Sequence, residues 1–324
     1  MNYQVREEDF CQLMERYHTV NPLDWGPLFV QPAWLRVWWN TFNPPSELCI
    51  LSISEDECLL GVAPLQVTGD RCLMLGSTDV SDYVDFPVNK ARSREFFAQL
   101  LPSLRSKGIK TLELAHVRPE SAALTDLVEV AKEWGCAVHL VSEEVSLETQ
   151  LPATWDEYLK NLSKKQRHEV RRKLRRLTEA GTVNYRSLSE PEAVTERMPE
   201  FLEMFAVSRS DKEEYLNPQR EDFFRSIVTT MAQWDLFRLG MLELDGKPVA
   251  MLLYFDYQRR IYLYNSGYDP AYRELSVGLM SKVLCIKDSI ARGREVFDFL
   301  KGDEVYKYRL GGKEVPLTRC QIDL

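Results

Sequence analysis

The stretch from Ile261 to Ile290, IYLYNSGYDPAYRELSVGLMSKVLCIKDSI, constrains the fold most, because its hydrophobic period changes part-way along. Residues 261–265 alternate aromatic and β-branched side chains, the mark of a strand. Residues 266–270, SGYDP, collect the residue types that favour a turn. Leu275, Leu279, Val283, Ile286 and Ile290 then form one helical stripe, with Val277, Met280 and Leu284 beside it. Gly293 stands where a helix C-terminal cap is expected. A strand feeding a buried helix through a polar turn points to an α/β fold with a mixed sheet.

At the mouth of that helix stand Arg273, Ser276, Val277, Gly278 and Leu279. Small residues there let the amides of the first helical turn point at a ligand. The helix dipole adds about half a positive charge, so the place suits a phosphate or pyrophosphate. The same residues also fit an ordinary helix start with Ser276 as the capping side chain.

A chain of 324 residues exceeds one small core and predicts two domains, at 1–150 and 151–324. Apolar residues at 44% and charged residues at 28% are the proportions of a soluble globular protein. No apolar run is long enough to span a bilayer, and MNYQVREEDF lacks the basic start and apolar core of a secretory signal, which makes the cytoplasm the expected compartment. The seven cysteines are odd in number, scattered through apolar surroundings, and form no C-x-x-C pair. The four histidines show no ligand spacing, so no metal is expected. Net charge is −8, yet residues 164–176 alone carry +7, leaving −15 for the remainder.

The halves repeat an order of elements: strand, hairpin, strand, small polar turn with Asp (Gly76 to Asp79, Ser266 to Asp269), helix, glycine (Gly108, Gly293), strand. Only the second copy places its helix directly after the turn, so the anion site belongs there. Residues 6–17 are predicted as the first helix, and Asp245-Gly246 as a hairpin turn. The basic stretch reads as a helix whose Val170, Leu174 and Leu177 dock on the body. Aromatic residues do not interleave with its charges, as base stacking would require. It is therefore expected to be a solvated helix or a wall for an anionic substrate, with nucleic acid as the less favoured reading.

The R-x-x-S-x-G helix mouth after central strands resembles the GNAT acyltransferase fold, whose signature is Q/R-x-x-G-x-G/A with Ser276 here at the first glycine. The stretches LSKKQRHEVRRKLRRLTEAG, SRSDKEEYLNPQREDFF, LYNSGYDP, FDFLKGDEVYKYRLG and GSTDVSDYVDF are similar to the CelD-like branch of that superfamily, named from cellulose biosynthesis. That branch is related in turn to Fem-type transferases, duplicated GNAT proteins that take amino acids from charged tRNA. The resemblance covers nearly the whole chain from Trp34 onward. It implies a duplicated GNAT-like fold, with a degenerate first domain and a second that binds acyl-CoA.

The resemblance further implies an acyl thioester, acetyl-CoA or a longer acyl-CoA, in a cleft between two splayed strands, identified as residues 249–256 and 261–265. Tyr306 would be the acid that protonates the departing thiolate. Lys307 would support developing negative charge, and Asp298 and Asp303 would act as base or substrate anchor. Asp79, Asp82, Tyr83, Asp85, Arg209 and Lys212 are candidates for binding a small-molecule or saccharide acceptor. Plainer readings stand beside these: Tyr306 as packing, Lys307 as an i,i+4 partner of Asp303, and Asp79, Asp82, Asp85, Arg209 and Lys212 as surface loop. The expected activity is direct acyl transfer to an amine or hydroxyl. The alternatives are a charged-tRNA donor or a non-catalytic module that senses an acyl-CoA or precursor. Nothing in the sequence sets the oligomeric state.

Overall fold

The computed structural model describes residues 2–18, 23–76, 79–208 and 215–324. The chain divides into two compact units, Met1–Val145 with Val315–Leu324, and Ser146–Glu314. The first contains β1 (Tyr3–Glu8), α1 (Phe10–His18), α2 (Pro32–Phe42), β2 (Glu47–Glu55), β3 (Cys58–Thr68), β4 (Arg71–Met74), α3 (Ser93–Ser106), β5 (Thr111–Val117), α4 (Val128–Glu133) and the first part of β6 (Ala137–Gln150). The second holds the rest of β6, then α5 (Trp155–Asn161), α6 (Lys164–Ala180), β7 (Val183–Leu188), α7 (Pro191–Ser208), α8 (Pro218–Gln233), β8 (Phe237–Leu244), β9 (Lys247–Tyr257) and β10 (Arg260–Tyr268). It continues with α9 (Val277–Ala291), β11 (Val296–Lys301) and α10 (Val305–Arg309), after which β12 (Lys313–Asp323) returns to the first unit.

The units share a topology. In the first, β1 to β4 are antiparallel neighbours and β5 joins β4 in parallel. In the second, β7 to β10 are antiparallel neighbours and β11 joins β10 in parallel. A parallel partner needs a crossover, which α3 provides in one unit and α9 in the other. The Asp245-Gly246 turn joins β8 to β9 as expected, with φ of 50° and 78°, the positive values a tight two-residue hairpin requires.

Each core follows from patterning. β8 is buried at every residue, so both its faces are covered, and its sequence FRLGMLEL is apolar except for Arg238 and Glu243, which pair with Asp235 and Arg186. Phe201 and Phe205 of α7 and Phe223 and Phe224 of α8 are buried in the same unit. In the first unit Phe96, Phe97, Leu100 and Leu104 of α3 pack with Leu51, Ile53, Leu112 and Ile322 of the sheet. No helix among the described residues is long and apolar enough to cross a membrane.

Three expectations change. Residues 3–8 form an edge strand, not the start of the first helix, because β2 offers a pairing partner along Glu8↔Ile50 to Tyr3↔Glu55. The charged Arg6, Glu7 and Glu8 suit a sheet edge. The C-terminal strand, expected with the second domain, pairs with β5 through Thr318↔Val117 and Asp323↔Thr111. The third change concerns residues 266–268, expected as a turn. They continue β10, still paired with β9 at Ser266↔Leu252 and Tyr268↔Ala250. Gly267 is there because α7 lies on top of it: a Cβ would stand 2.5 Å from the Phe205 amide nitrogen and 2.6 Å from the Met204 carbonyl carbon. Backbone cannot swing aside as a side chain can, so glycine marks a close helix–strand approach.

Gly267→Ala is therefore expected to lower stability by about 1–3 kcal/mol, the usual cost of overpacking. Chemical denaturation measures it, and an unchanged midpoint would show that α7 does not rest on this strand.

Candidate active site

The second unit's parallel pair is short. β10 and β11 are in register at Arg260↔Val296, Ile261↔Phe297 and Tyr262↔Asp298. Beyond that point β10 stays with β9 as far as Tyr268, and β11 stays with β6 as far as Lys301↔Ser146. The two strands part, and each carries an irregularity where they do, at Leu263/Asn265 in β10 and at Asp298/Leu300 in β11. Bulges bend and re-aim strands in this way. The gap therefore lies between β10 and β11. The expected pair, residues 249–256 and 261–265, is paired from Arg260↔Tyr257 to Tyr268↔Ala250 and leaves no opening.

Asp298 stands at the fork, with no exposed surface. Its carboxylate accepts from the Leu300 amide at 2.8 Å and from the Arg260 guanidinium at 3.1 Å. Leu300 has φ of 64°, a left-handed conformation that a side chain enters only when its surroundings hold it there. Asp298 thus holds the β11 irregularity in place.

The helix mouth lies beside the gap. Ser276 has φ of 57°, again left-handed, at the position where the family signature carries its first glycine. The side chain makes no capping bond. Its carbonyl accepts from the amides of Leu279 and Met280, which leaves Val277 and Gly278 as the first two amides of α9. The hydroxyl of Ser276 instead accepts from Lys173 at 3.1 Å. Lys173 lies on the inner stripe of the basic helix α6, which also carries the buried Val170 and Leu177. Arg273 is exposed on the short 3-10 helix before α9, whose N-cap side chain is Asp269. Glycine at 278 has a packing cause as well, since a Cβ would stand 2.9 Å from the Tyr268 ring.

Beyond β11, Tyr306 and Tyr308 point different ways, as helical positions two apart do. Tyr306 is half-buried, edge-on to Phe299 with ring centroids 6.3 Å apart. Tyr308 is 40% exposed and donates to Glu314. Lys307 between them is buried. Its ammonium donates to the carbonyls of Leu300 (3.0 Å), Lys301 (2.5 Å) and Gly302 (3.1 Å) and pairs with Glu304 at 2.8 Å. It therefore clamps the β11–α10 loop, and its carboxylate partner is Glu304; Asp303 is exposed.

One residue escaped the sequence reading. Lys282 is 7% exposed on α9, and its amine donates to Ser266 Oγ at 3.0 Å and to the Gly278 carbonyl at 2.9 Å. It lies 5.2 Å from the centroid of the Tyr306 ring. The signal was available: Lys282 falls three residues after Leu279 and four before Ile286, inside the apolar face.

The acidic loop of the first unit serves that unit's own packing. Ser81 accepts from the Trp34 indole at 3.0 Å, and Tyr83 is buried edge-on to Phe29 with the Arg118 guanidinium 4.8 Å from its ring centroid. Asp85 accepts from the amides of Phe86 (2.8 Å), Ala122 (3.0 Å) and Ala123 (3.2 Å), and burial raises its carboxyl to about 6 against their pull. Tyr83 and Asp85 thus make packing and backbone contacts within that unit. Asp79 is exposed and Asp82 half-buried on the same loop. Arg209 and Lys212 lie outside the described residues. The first unit has its own parting of parallel strands, after Leu73↔Glu113, with a cavity of about 280 Å³ lined by Met74, Ser81, Glu113, His116 and Arg319 among others.

All seven cysteines are free. Burial pushes the thiols of Cys285 and Cys320 up to about 12 and about 11, and that of Cys72 higher still, which suits inert core residues. No group of residues that could hold a metal ion occurs among the described residues.

Lys307→Met would leave buried carbonyls without their donor, at about 1–3 kcal/mol for an orphaned polar group. A lowered unfolding midpoint is expected. A midpoint equal to wild type would return Lys307 to the list of chemical groups.

Residues 164–308 match the family described as an acetyltransferase (GNAT) domain. No curated protein matches the chain. Among solved structures it is similar to FemX, at 11% identity with a TM-score of 0.69, covering 98% of this chain and 96% of that one. It is also similar to a conserved protein of unknown function from Bacteroides thetaiotaomicron, at 10% identity and a TM-score of 0.62, covering 100% of both chains. At such identities the likeness concerns the fold. The matched segment lies inside the second unit.

Proposed function

We propose that the second unit transfers an acyl group from acyl-CoA to an amine or hydroxyl acceptor, with the β10–β11 gap as the place of reaction. One observation carries this reading: the amides at the α9 mouth, the parting strands and Tyr306 all belong to one short run of structure.

The residues present fit the donor. The first amides of α9 are free of helical bonds, as at any helix start, and Lys173 at Ser276 and Arg273 just before it add charge. Amides and cations together match a pyrophosphate. The thioester would reach between β10 and β11. There the acceptor nitrogen or oxygen bonds to the acyl carbon and its proton passes to solvent. Tyr306 gives its phenol proton to sulfur as the carbon–sulfur bond breaks. No covalent enzyme intermediate is part of this reading, because the buried cysteines are inert.

A charged-tRNA donor is the second reading, favoured by the likeness to FemX and by the basic α6. The contact of Lys173 with Ser276 gives that helix a task at the anion site that needs no nucleic acid. Asp79 and Asp82, with Arg209 and Lys212, remain our candidates for acceptor binding.

Lys173→Glu and Arg273→Glu should each weaken CoA binding about tenfold or more, a loss of about 1.4 kcal/mol, while leaving the unfolding midpoint near wild type. Calorimetric titration with CoA reads this. Unchanged affinity in both variants would remove the anion site from the α9 mouth. Wild-type protein stabilised by charged tRNA and not by acetyl-CoA would favour the second reading.

Thiols ionise near 8.5, so the departing thiolate needs modest help. Tyr306→Phe is expected to slow thiol release from acetyl-CoA by about ten- to a hundredfold. A wild-type rate would rule Tyr306 out as the acid.

A further inference from the structure

Lys282 and Ser281 replace apolar residues on the inner face of α9, and both are buried. The amine of Lys282 meets β10 through Ser266, beyond the point where β10 leaves β11, and its own helix through the Gly278 carbonyl. On the other side it faces the ring of Tyr306, at 5.2 Å from the centroid. It thereby links β10 and α9 with α10.

We infer that Lys282 is a positioning residue that acts through Tyr306, making the phenol a competent acid for the departing thiolate. This rests on the reading of Tyr306 given above. A phenol ionises near 10 and a thiol near 8.5, so handing a proton from tyrosine to a thiolate is uphill by about thirtyfold. When the carbon–sulfur bond breaks, the phenol O–H bond breaks, sulfur gains the proton and a phenolate remains until solvent returns a proton to it. A cation over the ring lowers the energy of that phenolate more than that of the phenol. Lys307 is occupied with loop carbonyls and Glu304, and Asp303 is exposed. Ser266 holds the amine in place, and the i,i+4 bond to Gly278 fixes its stem.

The test is a double-mutant cycle on the whole chain, following thiol release from acetyl-CoA with water as acceptor. Lys282→Met is expected to lower kcat by about ten- to thirtyfold with KM for acetyl-CoA within about threefold, and Lys282→Arg to recover part of the loss. In a Tyr306→Phe background Lys282→Met should cost less than about threefold, because the group it serves is gone. Lys282→Gln, which keeps hydrogen bonding without charge, should behave as Lys282→Met and guards against a simple folding defect. If Lys282→Met costs as much in the Tyr306→Phe background as in wild type, or raises KM and spares kcat, the assignment of Lys282 falls and the acid stands. A wild-type rate for Tyr306→Phe alone overturns the acid and with it the role given to Lys282.

Discussion

The parting of β10 from β11 is the constraint on which the site depends. Parallel neighbours satisfy each other's backbone groups, so a sheet does not open between them without a cause. Here the cause is a pair of bulges, with the irregularity in β11 held by the Asp298 carboxylate between the Leu300 amide and Arg260. Arg260 also reaches Glu148 on β6, so the fork is fixed from more than one strand. The first unit places an arginine and an acid at the same register positions. There Arg71, which begins β4, pairs with Glu113 at the last matched position of β5, and Arg319 joins from β12. The recurrence of an arginine at the strand start and an acid at the fork supports duplication more directly than the order of elements does.

Three lysines of the second unit show how one residue type takes different tasks. Lys307 is enclosed by three carbonyls and paired with Glu304, and this ties the loop after β11 to α10. Lys173 brings the edge of a basic helix to the hydroxyl of Ser276. Lys282 lies between a hydroxyl, a carbonyl and an aromatic face. Only partners separate them: the one that looked most chemical in the sequence, Lys307, has the most structural surroundings, and the one that passed for core stands at the gap.

Much of this was legible in the residues. The switch of period between 261 and 290 located the strand and the buried helix, and the R-x-x-S-x-G spacing located the helix mouth. The Asp245-Gly246 turn followed from its composition, since only a few residue types tolerate two consecutive positive φ values. The segment SGYDP was misread for an equally physical reason: the glycine that usually makes a turn here makes room for the backbone of α7.

What the sequence determined by itself was whatever depends on near neighbours: helical and strand periods, the hairpin, and the apolar stripe that seats α6. Tertiary structure decided what depends on residues far apart in the chain. Whether residues 3–8 became a strand depended on β2 lying beside them, and the C-terminal strand found its partner in β5 about two hundred residues back. Asp298 was legible as an acid near the right helix, but its burial against Arg260 was not, because a side chain's chemistry depends on its enclosure and its partners. The same holds for Ser276: spacing put it at the helix mouth, and only the folded backbone turned it left-handed and gave its hydroxyl to Lys173.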